Sequence, residues 1–106
     1  MDADLYDRIA DTELHDLERT LGEIDPDELE VDLSQGVLTL EFSDGEKVVV
    51  NSHRAAGEIW MAAFRQAWHF GPHDESGKWV WRTSSAELRA KLREVLSKKL
   101  GREISV

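Results

Sequence analysis

The sequence predicts an α+β two-layer sandwich: an N-terminal and a C-terminal helix packed on one face of an antiparallel sheet of about six strands. Three observations predict it. Apolar residues recur with helical spacing at both ends of the chain. The middle alternates apolar and polar residues with period two, and turn-forming dipeptides separate the alternating runs. At 106 residues, one domain spanning 1–106 is expected. A chain of that size supports one core that buries roughly two-thirds of its unfolded surface.

The first helix is read over residues 3 to about 23, where Ala3, Tyr6, Ala10, Leu14, Leu17, Leu21 and Ile24 recur at intervals of three and four. Pro26 closes that pattern, because a proline pushes the residue before it out of the helical region. From Leu29 the period becomes two. Leu29, Val31 and Leu33 alternate with Glu30, Asp32 and Ser34, as a half-buried strand requires. Gln35-Gly36 turns the chain into a second strand carrying Leu38, Leu40 and Phe42, and Asp44-Gly45 leads into a third over "KVVVN". Further strands are expected at "EIWMAA", "AWHF" and "KWVWR", separated by polar loops at Gly57, Gly71-Pro72 and Ser76-Gly77. Ser84-Ser85-Ala86-Glu87 fits a capping box for the last helix, with Ser84 as N-cap and Glu87 reaching back. Leu88, Leu92, Val95 and Leu96 form that helix's apolar stripe, and Gly101 stops it.

Composition narrows the function. There is no cysteine, so disulfides, thiolate metal sites and a self-held iron–sulfur cluster are excluded. No apolar run reaches the roughly 18 residues that span a bilayer, and the start is acidic, unlike a signal or transit peptide. A cytoplasmic location follows as the expectation. The net charge of −9 is unevenly placed. Residues 1–32 hold thirteen acids against Arg8 and Arg19, whereas residues 33–106 hold nine acids against eleven bases. A nearly neutral body with one acidic region suits cations or a basic protein surface, not nucleic acid, whose affinity rests on Lys and Arg.

Several catalytic patterns fail on inspection. "GPHDESGKW" has five residues between its glycines and Trp after the lysine, where a phosphate loop needs four and then Ser or Thr. Asp25-Pro26-Asp27 starts like a calcium loop, but Leu29 and Glu30 occupy places that need a ligand and a glycine. His69 and His73 stand four apart without a helix or an HExxH pattern, and no Ser, His and Asp grouping has triad support. The expectation is a protein that is not an enzyme.

The order of elements, with "YDRIAD" opening the first helix, the acidic corner, "GVLTLEF", "DG", "KVVVN", "EIWMA", "WHF", "KWVW" and "ELRAKL", resembles the frataxin family with its bacterial CyaY members. The resemblance covers nearly the whole chain. It implies a role in iron handling and iron–sulfur cluster assembly, through contact with a cysteine desulfurase and its scaffold. It also implies weak binding of iron, Fe²⁺ or Fe³⁺, at several overlapping carboxylate positions, and a bacterial cytoplasmic setting.

The residues show where such chemistry has room. Asp4, Asp7, Asp11, His15 and Glu18 share one face of the first helix, opposite the leucine stripe. Glu23, Asp25, Asp27 and Glu28 carry the charge through the corner, and Glu30 and Asp32 project from the solvent face of the first strand. Iron accepts carboxylate and imidazole alike. The candidate metal residues are therefore Asp11, His15, Glu18, Glu23, Asp25, Asp27, Glu28, Glu30 and Asp32, with Asp11, His15 and Glu18 spaced for a three-ligand site. A charged helix face is usually just solvated. The charge asymmetry and the resemblance together carry the metal reading. Family members often have adjacent acid pairs late in this helix, where this chain reads Glu18-Arg19 and Gly22-Glu23. Arg19 is expected to repel a cation at Glu18 or to pair with Glu23, which shifts weight toward Asp25, Asp27, Glu28, Glu30 and Asp32.

In "EIWMA" the alternation puts Ile59 and Met61 on the core side and Trp60 on the open sheet face, where an aromatic anchor suits an interface. The resemblance places Trp60 and Asn51 on the partner-contacting face. The candidate partner-binding set is Glu18, Glu23, Asp25, Asn51 and Trp60. Trp79 and Trp81 are expected in the core, while Trp68, His53 and His73 receive no role. The function expected is an iron-binding adaptor that docks on a cysteine desulfurase through the acidic edge and acts as a monomer. Two alternatives stay open: an iron-storing or iron-oxidising protein that oligomerises with iron, and an acidic interaction module with incidental metal binding.

Overall fold

The computed structural model describes all of residues 1–106. Helix α1 (Ala3–Leu21) begins where the Asp2 carboxylate accepts a hydrogen bond from the Leu5 amide at 2.8 Å, a side-chain cap. Tyr6, Ala10, Leu14, Leu17 and Leu21 are buried along its length, as their spacing predicts. Gly22 ends it in right-handed geometry, its N–H donating to the Glu18 carbonyl at 2.9 Å.

Six strands follow in one antiparallel sheet whose spatial order is the order along the chain: β1 (Leu29–Ser34), β2 (Val37–Phe42), β3 (Lys47–His53), β4 (Glu58–Ala63), β5 (Gln66–Glu75) and β6 (Lys78–Arg82). A short 3₁₀ turn, Arg54–Ala56, joins β3 to β4. The β1–β2 turn needs positive φ at both Gln35 and Gly36. Gly36 is required there twice over, since a Cβ would lie 2.6 Å from the Ser52 hydroxyl. Helix α2 (Leu88–Leu100) closes the fold, with Gly101 in the left-handed region as its C-cap.

Both helices lie on the face that carries Leu38, Leu40, Val48, Val50, Ile59, Met61, Phe70 and Trp81. All twenty buried residues are apolar, and no charged or polar residue is buried. Tyr6 ties α1 across this layer. Its hydroxyl donates to the Glu58 carbonyl at 2.7 Å and its ring meets Trp81 edge-on at 5.7 Å. Burial pushes the Tyr6 hydroxyl above its ordinary pKa. No helix is long and apolar enough to cross a membrane.

The structure corrects three local expectations. Gly71 and Pro72 are not loop residues but part of β5. The first half of β5 pairs with β4 as far as Phe70, and its second half, Gly71–Glu75, pairs only with β6. Pro72 sits just past that exchange of partners, where a missing N–H is tolerated because only one side of the strand is paired. The capping box at Ser84 does not form. The N-cap of α2 is Glu87, with no side-chain cap bond. Thr83 organises the approach instead, its N–H donating to the Ala86 carbonyl at 2.8 Å and its Oγ1 accepting from the Ala86 amide at 3.2 Å. An Arg82–Glu87 bridge closes that turn and keeps Glu87 extended, so the helix starts later than the pattern suggests. Finally, Trp81 is core but Trp79 is 39% exposed, because it lies on the edge strand β6 in an open cleft beside Leu5, Arg8 and Ile9 of α1.

Candidate functional site

The acidic face of α1 is more heavily paired than its sequence suggests. Arg54, from the 3₁₀ turn, reaches Asp7 at 3.2 Å. His15 donates through Nδ1 to the Asp11 carbonyl at 2.9 Å and stands 3.2 Å from the Asp11 carboxylate. That hydrogen bond, then the Asp11 charge, holds the His15 imidazole above its ordinary pKa. Arg89 of α2 forks onto α1, donating to both Glu13 oxygens at 3.0 and 2.8 Å and to Asp16 at 2.7 Å. Hydrogen bonding from Arg89 holds the Asp16 carboxyl below the usual range, and the Glu13 carboxylate holds the guanidinium above its own. Arg19 also turns back to Asp16 instead of forward to Glu23, because Asp16, one turn back on the same face, already stands fixed by Arg89.

At the corner the Asp25 carboxylate accepts from the Asp27 amide at 2.9 Å, while its carbonyl accepts from Glu28 and Leu29 at 2.8 and 3.0 Å. This tight turn delivers the chain into β1. Glu28 is clamped bidentately by Arg102, one bond measuring 2.9 Å. Glu18, Glu23, Asp25, Asp27, Glu30 and Asp32 have no basic partner. Glu30 and Asp32 point to the open sheet face, where Glu30 stands directly across from Glu41.

These carboxylates do not converge. No three His, Asp or Glu side chains come close enough to hold a metal ion, and of the spaced trio only Asp11 and His15 meet. The residues therefore do not fit a coordination cage. Their arrangement is an open row of negative charge, which attracts hydrated cations without enclosing them.

The open sheet face presents a straight cross-strand row. Ser34, Val37, Asn51, Trp60 and His69 stand opposite one another in register from β1 to β5. Ile59 and Met61 are fully buried behind it, as the alternation predicts. Trp60 is half-buried on this face, not freely exposed. Its ring lies between two imidazoles, with His53 at 3.9 Å and 14° and His69 at 4.3 Å and 6°. Its Nε1 donates to Glu58 at 3.0 Å, and His69 Nδ1 is 3.9 Å from the same oxygen.

Sequence reasoning missed the two flanking histidines and the Arg89 fork. The His69 position was countable, since a two-residue turn at Phe64-Arg65 sets Trp60 opposite His69. The turn lacks the Asn-Gly signature that would have announced it. Arg89 had no local signal: it joins residues more than seventy positions apart in the chain.

A family model described as a frataxin-like domain matches residues 1–102. The chain belongs to the frataxin-like family. Within it the chain is similar to curated bacterial proteins named iron-sulfur cluster assembly protein CyaY. The protein from Ralstonia nicotianae is 41% identical over 93 residues, covering 84% of this chain and 80% of the relative. The one from Thioalkalivibrio sulfidiphilus is 35% identical over 96 residues, covering 90% of each. A solved frataxin from Psychromonas ingrahamii superimposes with a TM-score of 0.82 over 99% of this chain and 97% of that one, at 23% identity. The two helices on a six-stranded antiparallel sheet are thus the frataxin fold. In this frataxin-like chain the acidic corner and the row through Trp60 meet at β1, whose Asp32 and Ser34 belong to the same sheet face.

Proposed function

We propose that this chain is a non-enzymatic, single-domain adaptor in iron–sulfur cluster assembly. It binds iron weakly along its acidic edge and docks on a cysteine desulfurase and its scaffold in the bacterial cytoplasm. The observation that carries this reading is the set of six carboxylates without basic partners, Glu18, Glu23, Asp25, Asp27, Glu30 and Asp32, beside the Asn51–Trp60 row. From Glu18 to Asp32 every acid but Glu28 is unpaired, whereas Asp7, Glu13 and Asp16 earlier on α1 are each held by an arginine. Long-range attraction from this edge supplies encounter with a basic surface, and the aromatic row supplies a contact that persists. Iron in this reading is cargo, attracted and released, since nothing encloses it. The names of the CyaY relatives support the pathway, and the surface described here supports the mode.

The test is cluster-assembly kinetics on a desulfurase–scaffold mixture, with this protein added at several iron concentrations. A change in assembly rate that depends on the protein and survives dilution of iron supports the adaptor. An unchanged rate at every iron concentration overturns it. Size-exclusion with excess iron separates the storage reading, which demands large assemblies.

A further inference from the structure

We infer that Arg102 is an internal competitor at the acidic edge: it seats its guanidinium on Glu28, and a cation approaching that end of the edge must displace it to reach the carboxylate. Arg102 then regulates the cation-attracting edge of the proposed function, and its role rests on that reading. Of the seven acids from Glu18 to Asp32, Glu28 alone has a basic partner. Both its oxygens accept from Arg102, one bond measuring 2.9 Å, across seventy-four positions of chain. A guanidinium fork covers the two oxygens of a carboxylate together, the same oxygens that a cation would use. The hydrogen bond to Glu28, with the charges of Glu28 and Asp25 added, holds the Arg102 guanidinium above its ordinary pKa. Asp25 thus shares in the field that keeps Arg102 at the corner.

The end of the chain is built to place this side chain. Gly101, at φ +71°, turns the backbone out of α2, and its N–H donates to the Ser97 carbonyl at 3.0 Å. Two residues beyond Arg102, Ile104 is buried in the core and donates its N–H to the Ser97 hydroxyl at 2.9 Å. Arg93 then donates to the Val106 carbonyl at 3.0 Å. Arg102 is therefore fixed from both sides, and its side chain crosses to Glu28 from an anchored backbone.

Exposure separates this fork from the one made by Arg89. In the Arg89–Glu13 pair the side chains are 24% and 16% exposed, and the guanidinium also holds Asp16. That fork joins α1 to α2 and is shielded from an incoming ion. In the Arg102–Glu28 pair the side chains are 46% and 39% exposed. An exposed pair is screened by water and salt and holds weakly. An ion arriving from solvent can replace the guanidinium without opening the core. The strength suits tuning: a contact of this class lowers a competing ion's affinity about two- to fivefold and does not abolish it.

The experiment follows the paramagnetic broadening of amide signals by Mn²⁺ in the ¹⁵N-labelled 106-residue protein. It is run at 0.1 M salt, where exposed charges are screened beyond roughly 10 Å. Broadening at residues 23–32 should saturate, and Arg102→Gln should tighten it about two- to fivefold. Lys78→Gln removes the same charge from an exposed position on β6, five strands or roughly 24 Å from β1, and should leave the affinity as it was. Adding Glu28→Gln to Arg102→Gln should restore the wild-type affinity, because the same carboxylates are then free as in the wild type. Equal tightening by Lys78→Gln would reduce the effect to net charge, and a gain that survives Glu28→Gln would place the action of Arg102 elsewhere. Either result overturns the inference, as does an unchanged affinity in Arg102→Gln, and all three leave the edge itself standing. The absence of saturable broadening at residues 23–32 in every variant overturns the edge reading, and the role of Arg102 falls with it.

Discussion

The indole of Trp60 lies flat against the imidazole of His69, its cross-strand partner on β5, at 4.3 Å and 6°. With His53 on its other side, Trp60 is held upright in a fixed orientation and not left to lie over the sheet. An aromatic ring immobilised before contact loses little freedom on binding. Trp60→Ala should leave the fold intact, because Ile59 and Met61 make the core contacts of that strand. It should shorten the lifetime of a desulfurase–scaffold complex by the equivalent of about 2 kcal/mol, leaving the salt dependence of association alone. Surface-plasmon dissociation rates check this. An unchanged off-rate would remove the open sheet face from the interface.

Charge reversal at Glu18, Glu23 and Asp25 should act on the other kinetic limb. Those residues carry no basic partner, so reversal changes the field and breaks no ion pair, while at Asp25 it also removes the acceptor of the Asp27 amide. Association with the desulfurase should slow and its salt dependence flatten, while the dissociation rate holds. Stopped-flow on-rates at several ionic strengths measure it.

Weak divalent-ion binding should fall with salt, since exposed charges are screened over roughly 10 Å at 0.1 M. Reversal at Asp25, Asp27 and Glu30 should weaken Fe²⁺ binding more than reversal at Glu87 and Glu94. Calorimetric titration under anaerobic conditions makes the comparison. Equal losses from both sets would mean general counterion condensation.

Stability should respond differently at two neighbouring acids. Glu30 faces Glu41 directly across β1 and β2, so Glu30→Gln should raise the melting temperature, with a gain of about 0.2–1 kcal/mol. Asp25 instead accepts the Asp27 amide in the turn before β1. Asp25→Ala should lower stability by about 1 kcal/mol, while Asp25→Asn, which keeps the acceptor, should not. Thermal melts of the three variants decide it.

The fork from Arg89 sets the acid limit. Asp16 has its folded pKa lowered, chiefly by the hydrogen bond from Arg89. Its contribution is therefore full above the unfolded value of about 3.9 and is lost as pH falls through the lower folded value. Arg89→Met should destabilise the protein by about 1–3 kcal/mol at neutral pH, by leaving Glu13 without its donor and Asp16 with Arg19 alone. It should also flatten the stability loss below about pH 4. His15 works the opposite way: its raised pKa makes its link to Asp11 strongest below about pH 6.5 and weaker as pH rises. Urea melts from pH 3 to 8, within roughly the range these groups cover, test both signs.

Most of the architecture was legible because it rests on period. The α1 stripe, the β1 to β4 alternation and the placing of Trp60 opposite Ile59 all follow from spacings of two or of three and four. What was not legible depends on partners distant in the chain. Pro72 reads as a loop residue until β5 is seen to exchange β4 for β6. Ser84 and Glu87 satisfy a capping pattern that the Arg82–Glu87 bridge overrides. At the site, the run of acids was plain, but which acids stay unpaired was not. Arg54, Arg89 and Arg102 decide that, and each comes from an element whose own sequence gives no sign of its target.

The core of twenty residues contains no member of the acidic corner. Packing and charge are therefore written in separate parts of this chain. An acid can be gained, lost or moved along Glu23–Asp32 with no side chain in the interior having to readjust, provided Ile24, Leu29 and Val31 are kept. Drift in this lineage is then free to tune the strength and reach of the edge in single steps, each one viable as a folded protein.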